Sequence, residues 1–260
     1  MSKNTTRLFL IAFFSVLPAV ASAEEAPDKV LWETIAMAHT VFVGAVHISP
    51  APSSEAGKIH LLFAADVDEC LKGNGGKHME SAIDLTVPEN EPTIQYFLTE
   101  SGQKRVVLLF EKAVPVLWAF SPEFLEKVRR ETVSQENYLS GFKKTWTRRN
   151  TPHYRDVKKL IKQMVSTPKE AGEAYAALER LGVDAVPAMI VFMDDPRPVA
   201  EQTIAITVSS SFESVGHFPV KDVYGVIAMI TSHLTGEGPS EESRSTAMRF
   251  WRVYLRDLLP

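Results

Sequence analysis

Cysteine is almost absent from this chain of 260 residues, since Cys70 is the only one. A single thiol forms no intrachain disulfide. The fold must therefore be stabilised by a buried core, which a chain of this length can supply. We expect Cys70 to be buried rather than to join two chains.

Motifs that carry chemistry are also absent. None of the seven histidines forms an HExxH motif or pairs with the cysteine at zinc-binding spacing. The chain has no GxSxG elbow, no phosphate-binding GxxxxGK[ST] loop and no GxGxxG after a strand. His47 and His60 could face each other across neighbouring strands, but the sequence alone does not fix strand pairing. The sequence predicts no catalytic residue, no metal ligand and no cofactor, and an enzyme built from residues far apart in the chain remains an alternative.

Long apolar runs are absent beyond the N-terminus. The segment Met1–Arg7 has two basic residues and no acidic one, the segment Leu8–Ala21 is almost entirely apolar, and small residues precede Glu24. This pattern predicts a secretory signal peptide over residues 1–23. The apolar run is too short to cross a bilayer comfortably. We therefore expect an exported protein, periplasmic or secreted, with no transmembrane segment in the mature chain.

An excess of positive charge is absent from the chain as a whole. The formal net charge is −4, and removal of the predicted signal peptide takes away two basic residues and leaves −6. An acidic balance argues against nucleic acid as the main partner.

The region 24–130 has the pattern of a β domain made of short strands, and with the helical region that follows it predicts an α+β fold for the chain. A helix is expected near Ile35, and a second one is expected from Pro122 to about Arg130. Alternating apolar residues and turn signals predict strands over Val41–Ile48, Ile59–Cys70, Ile83–Val87, Ile94–Leu98, Val106–Phe110 and Val114–Phe120. Pro115 confines the last strand to an edge. These strands predict a small antiparallel β-barrel, with a sandwich as the alternative.

Several segments of this region are similar to netrin-like domains, which include the tissue inhibitors of metalloproteinases. The resemblance rests on HTVFVGAVHIS, CLKG, IDLTVPE and SGQKRVVLLFE, with Val43, Gly44, Val46, Leu71, Lys72, Gly73, Gly102 and Val106–Phe110. It implies an OB-type barrel and, as an alternative function, protease inhibition. Those metalloproteinase inhibitors chelate zinc with an N-terminal cysteine, whereas the predicted mature chain begins at Glu24.

Residues 131–153 are polar and are predicted to be a basic linker between two domains. Between Lys143 and Lys162 the chain holds eight basic residues and one acid, Asp156. Our candidate binding residues are Lys143, Lys144, Trp146, Arg148 and Arg149. Such a segment suits a phosphate-bearing polymer, an acidic protein surface or lipid headgroups, and a solvated helix face is the alternative.

Residues 154–260 have the period of amphipathic helices and are predicted to be all-α. The stretch LERLGVDAVPAMIVFMDDPRPVAEQTIAI predicts a helix that ends at Gly182, a second helix capped by Asp184, an acidic turn and a third helix from Val199. Pro219 is expected to open a later helix. The pattern LxxLGxxAVPxxI…DDxxxVA resembles a HEAT repeat, carried by Leu178, Leu181, Gly182, Ala185, Val186, Pro187, Ile190, Asp194, Asp195, Val199 and Ala200.

HEAT-type helices usually present protein-binding surfaces, so this resemblance implies an unidentified protein partner. We therefore predict a non-catalytic exported binding or scaffold protein. The alternatives are a protease inhibitor that acts through the β domain and an uncharacterised hydrolase.

Overall fold

A computed structural model describes residues 28–52, 58–86, 91–110, 115–208, 214–239 and 243–257. The predicted signal peptide lies outside these residues. The fold is of the mixed α+β class and divides into two compact units. The N-terminal unit comprises Met1–Glu136 with Ser240–Thr246, and the C-terminal unit comprises Asn137–Pro239 with Ala247–Pro260.

The N-terminal unit is built from five strands and three helices in the described residues. These are α1 (Asp28–Met37), β1 (Thr40–Pro52), β2 (Lys58–Lys72), β3 (His78–Thr86), α2 (Glu91–Glu100), β4 (Lys104–Leu109), β5 (Val116–Ala119) and α3 (Pro122–Thr145), whose later turns belong to the C-terminal unit.

The five strands form one antiparallel sheet in the order β3-β2-β1-β4-β5. Across the described strands, β3 and β5 are the two edges and do not pair, so the sheet is open and the predicted barrel is wrong. The central strands are packed on both faces, and within the described residues no pairing of the edges closes an interior. Edge strand β5 agrees with the constraint predicted from Pro115.

Helices cover both faces of this sheet. On one face, Phe97 of α2 packs with Phe42 and Phe63 of the sheet. On the other face, Ile35 of α1 and Val128 of α3 pack around other strand residues. Burial of apolar side chains in these two clusters stabilises the unit, at roughly 25 cal/mol per Å² of apolar surface removed from water.

Two predictions of secondary structure fail in this unit. The strand predicted over Ile94–Leu98 is part of α2, where the adjacent residues Phe97 and Leu98 both contact the core, which a helix face allows and a strand does not. Helix α3 continues to Thr145, beyond the end predicted near Arg130. Its buried Gln135 donates to the carbonyl oxygen of Trp32 at 2.9 Å, and a buried polar residue hides the apolar period.

The C-terminal unit is mainly helical. Besides the end of α3 it contains α4 (Tyr154–Met164), α5 (Pro168–Leu181), a 3₁₀ turn (Val183–Ala185), α6 (Val186–Val191), β6 (Thr203–Val208), β7 (Ser214–Pro219), α7 (Val223–Thr235) and most of α8 (Arg244–Asp257).

The prediction that this half is all-α is wrong, because β6 and β7 form an antiparallel hairpin. Ile204 and Ile206 are buried, and this period of two is that of a strand with one covered face. The residues expected to begin a third helix form none, since Pro198 makes an isolated antiparallel bridge with Asp222 and the N–H of Val199 donates to the carbonyl oxygen of Lys221 at 3.3 Å.

Two predicted helix starts are also displaced. Asp184 lies within the 3₁₀ turn, and α6 begins after Ala185 without a side-chain cap. Pro219 ends β7, and α7 is capped by Asp222, which accepts from the N–H of Gly225 at 2.9 Å. None of the described helices is both long enough and apolar enough to cross a bilayer.

Candidate anion-binding surface

The basic segment Lys143–Lys162 lies entirely within the C-terminal unit. It comprises the end of α3, a short connection and most of α4. All eight of its basic side chains are exposed, and none has an ion-pair partner among the residues that the structure describes. They are Lys143, Lys144, Arg148, Arg149, Arg155, Lys158, Lys159 and Lys162.

Helix α4 separates charge from apolar surface. Its four basic residues follow the spacing i, i+3, i+4 and i+7, which places them on one side of a helix. The opposite side carries Val157, Ile161 and Met164, all buried, and α4 packs against α5. We call the exposed side the basic face, which consists of Arg155, Lys158, Lys159 and Lys162.

The like charges of the basic face lower the stability of the fold. Like charges three or four residues apart on a helix destabilise it by about 0.2–0.5 kcal/mol per pair. Asp156, the one acid in the segment, lies 3.4 Å from the Nδ1 atom of His153. The repulsion among these basic side chains therefore has no compensating ion pair among the described residues.

The four basic residues before α4 occupy two settings. Lys143 and Lys144 lie in the last turn of α3, where a positive charge is favoured by the helix dipole. Arg148 and Arg149 lie in the connection that follows. The helix dipole therefore accounts in part for the presence of basic residues at Lys143 and Lys144. It does not account for Arg148 and Arg149, which lie outside the helix.

Trp146, the aromatic member of the predicted site, is buried and 7% exposed. Its indole N–H donates to the hydroxyl of Tyr138 at 2.7 Å, and burial raises the pKa of that tyrosine above its ordinary value. Trp146 therefore anchors the connection to its own unit and does not offer its ring to a partner.

Further contacts hold the connection in place. The Oγ1 atom of Thr151, a buried residue, donates to the carbonyl oxygen of Thr147 at 2.8 Å. Tyr154 stacks at a tilt on Phe192 with ring centroids 4.8 Å apart. His153 has a φ of 53° just before α4 begins. The charged side chains thus stand on an ordered backbone.

A second charged cluster lies on the N-terminal sheet and was not predicted. Asp66 contacts two histidines, with 3.0 Å from its Oδ1 atom to Nδ1 of His78 and 3.4 Å from its Oδ2 atom to Nε2 of His47. The Nε2 atom of His78 also lies 3.2 Å from Glu80. All four side chains are more than half exposed.

Electrostatics couple the members of this cluster. The hydrogen bond with His78 is the largest cause that lowers the pKa of Asp66 below its ordinary value. The same hydrogen bond is the main cause that raises the pKa of His78, and Glu80 adds to it.

The predicted pairing of His47 with His60 does not occur, because strand register places His60 opposite Ala51 and His47 opposite Ala64. Asp66 lies directly opposite His78. Only the register of three strands brings this cluster together, so no short motif could have revealed it. Within the described ranges, no set of three histidine, cysteine or acidic side chains has a geometry that could hold a metal ion.

Cys70 is half-buried, not fully buried as expected. Its Sγ atom lies 3.3 Å from the carbonyl oxygen of Lys72 and 3.6 Å from that of Gly73. The thiol therefore takes part in the turn that ends β2.

Comparisons of the chain with protein families, with curated proteins and with solved structures found no match.

Proposed function

We propose that this protein is a non-catalytic exported binding protein whose C-terminal unit binds an anionic partner through the segment Lys143–Lys162. The observation that carries the proposal is the set of eight exposed basic side chains without ion-pair partners in the described structure. Polyanions and acidic surfaces are attracted to such a concentration of charge.

The likeness to HEAT repeats supports the idea of a scaffold. In this proposal the helices around Gly182 offer a surface to a protein partner, and the basic segment supplies or supplements the attachment. The netrin-like segments belong to the same proposal, with the N-terminal unit as an OB-related module whose sheet is open. Export follows from the predicted signal peptide and is part of the proposal.

A pull-down from the exported fraction of the producing cells tests this function. The bait is compared with a variant that carries Lys143→Glu, Lys144→Glu, Arg148→Glu and Arg149→Glu. A matched control carries the same reversal at four exposed basic residues elsewhere, namely Lys77, Lys169, Arg180 and Lys221. Salt eluates are assayed both for protein and for phosphorus.

We expect a specific partner that the unchanged bait and the control retain and that the variant loses. Retention by all three baits would move the site to another surface of the protein. A bait that retains nothing, protein or phosphate-bearing, would contradict the proposed function.

A further inference from the structure

We infer that the basic face of α4 docks on the surface of an anionic lipid bilayer. This inference rests on the proposed function, because it names the class of anion that the basic segment binds. Clusters of four to eight Lys and Arg residues on an amphipathic helix are typical of proteins that bind anionic lipid headgroups.

The composition of the segment disfavours a protein partner at this place. Five of its eight basic residues are lysines. The centres of protein interfaces are enriched in Arg and aromatic residues and depleted in Lys, and a few well-packed anchors carry most of the binding energy. Here the two large rings are occupied inside the unit, since Trp146 is buried and Tyr154 packs on Phe192. No such anchor is exposed among the basic residues.

The same feature disfavours single-stranded nucleic acid. Proteins that bind such strands stack bases on exposed aromatic rings beside the basic groove. The ring of Tyr154 already packs at a tilt on that of Phe192, and the exposed side chains of α4 are charged. What remains is attraction by charge alone.

A bilayer surface suits lysines in this arrangement. The lysine ammonium is a strongly hydrated point charge on a flexible stem, whereas arginine is suited to fixed bidentate contacts. A headgroup layer offers many anions without fixed positions. Each of the four basic side chains of the basic face can therefore contact a headgroup. Because Val157, Ile161 and Met164 are committed to the core, α4 has no apolar face left to insert. The attachment is therefore electrostatic and reversible.

The charge of the rest of the chain limits attachment to this segment. Outside Lys143–Lys162 the sequence holds 20 basic and 31 acidic residues. An anionic bilayer repels such a surface, so binding by other parts of the protein is disfavoured.

Co-sedimentation with lipid vesicles tests the inference. The protein is expressed from its full sequence and purified from the producing cells. It is mixed with vesicles of equal parts phosphatidylglycerol and phosphatidylcholine, or of phosphatidylcholine alone. The variant carries Lys158→Glu, Lys159→Glu and Lys162→Glu. The matched control carries Lys169→Glu, Arg180→Glu and Lys221→Glu, which changes the net charge of the same unit equally.

We expect binding to the anionic vesicles, no binding to the neutral ones, and loss of binding at high salt. Each basic residue near such a surface is worth about fivefold in affinity, so the loss of three lysines alone should weaken binding by roughly a hundredfold, and the added carboxylates should weaken it further. The control should bind nearly as well as the unchanged protein. Circular dichroism confirms that both variants are folded.

Equal binding to neutral vesicles, or equal losses in variant and control, would overturn the inference. Failure on vesicles together with a salt-eluted protein or phosphate polymer that the charge variants lose would also overturn it, while leaving the proposed function intact. Failure on vesicles together with no partner in the pull-down would contradict both.

Discussion

The side chain of Lys72 stabilises the end of helix α1 in the N-terminal unit. Lys72 is half-buried, and its ammonium group donates to the carbonyl oxygens of Ile35 at 2.6 Å, of Ala36 at 3.4 Å and of Ala38. These acceptors lie at the end of α1 and just after it, where carbonyl groups lack intrahelical partners. The positive charge also opposes the negative end of the helix dipole.

Replacement of Lys72 by Met should therefore destabilise the protein by about 2 kcal/mol, because it leaves these carbonyl groups without their charged donor. The measurement is urea denaturation followed by circular dichroism. The control is Lys77→Met, since Lys77 is exposed in the turn before β3. Equal midpoints for the two variants would contradict the capping role of Lys72.

The pair of Asp66 and His78 makes a prediction about pH. The pKa of His78 is raised, so its stabilising contribution is fully present below the ordinary imidazole pKa and is lost as the pH rises through the raised value. The pKa of Asp66 is lowered, so its contribution is present above the ordinary carboxyl pKa and is lost as the pH falls through the lowered value. Both contributions coexist from about pH 4 to about pH 6.5.

Substitution Asp66→Asn should bring the pKa of His78 down towards that of an ordinary histidine. An NMR titration of the histidine ring protons measures it directly. Glu80→Gln serves as the comparison and should lower the same pKa by less, because Glu80 is the smaller cause. A His78 titration that neither substitution moves would show that the cluster does not persist in solution.

At the scale of elements, the turn after α5 depends on a backbone that only glycine adopts readily. Gly182 has φ 69° and ψ −165°. The helix ends at Gly182, as predicted, and the positive φ is one that glycine adopts without a steric cost, while ψ is extended and not left-handed helical. The carbonyl oxygen of Gly182 accepts from the N–H of Ala185 at 3.1 Å, and the chain passes directly into the 3₁₀ turn.

Gly182→Ala should destabilise the protein by about 1–3 kcal/mol through backbone strain alone, because a Cβ at this position meets no atom within 4 Å. Gly172→Ala is the matched control, because Gly172 lies within α5 and its Cβ would also meet open space. There the same substitution should stabilise by about 0.5–1 kcal/mol. Thermal unfolding of both proteins distinguishes them, and shifts of the same sign would refute the conformational argument.

At the scale of the whole molecule, charge is distributed unevenly along the chain. The formal net charge is −4, yet the segment Lys143–Lys162 concentrates eight basic residues against one acid. Net charge alone would predict that the protein does not bind a negatively charged matrix.

We expect retention on a sulfonate cation exchanger at pH 7 and low salt, despite the net negative charge. The variant with Lys158, Lys159 and Lys162 changed to Glu should elute earlier, because the local charge of the basic face is reversed. The control with Lys169, Arg180 and Lys221 changed to Glu should stay retained. Equal shifts in both would show that net charge, and not the segment, governs binding.

The sequence predicted most of the local structure correctly where one physical signal dominated. The strands around Val43, Phe63 and Val107 were predicted because apolar residues filled both faces or alternated between turns. The predicted start of α3 at Pro122 is confirmed, and the N–H of Phe124 donates to the Oγ atom of Ser121 at 3.1 Å. The end of α3 was not predicted, because polar residues such as Gln135 are buried there by tertiary contacts.

Local pattern also failed where distant residues complete an element. Ile204 and Ile206 form a strand because β7 pairs with β6, and nothing within the stretch itself indicates that partner. The same contrast holds for the candidate site. Its basic residues can be recognised from the composition of the segment, whereas the burial of Trp146 cannot.

The sequence by itself determined the α+β class of the fold, the single thiol and the concentration of basic residues, because each depends on composition or local period. Only the tertiary structure decided that the sheet is open, that Trp146 is an anchor, and that Asp66 joins His47 to His78. Those outcomes depend on strand register and on packing between residues far apart in the chain, and no local pattern encodes them.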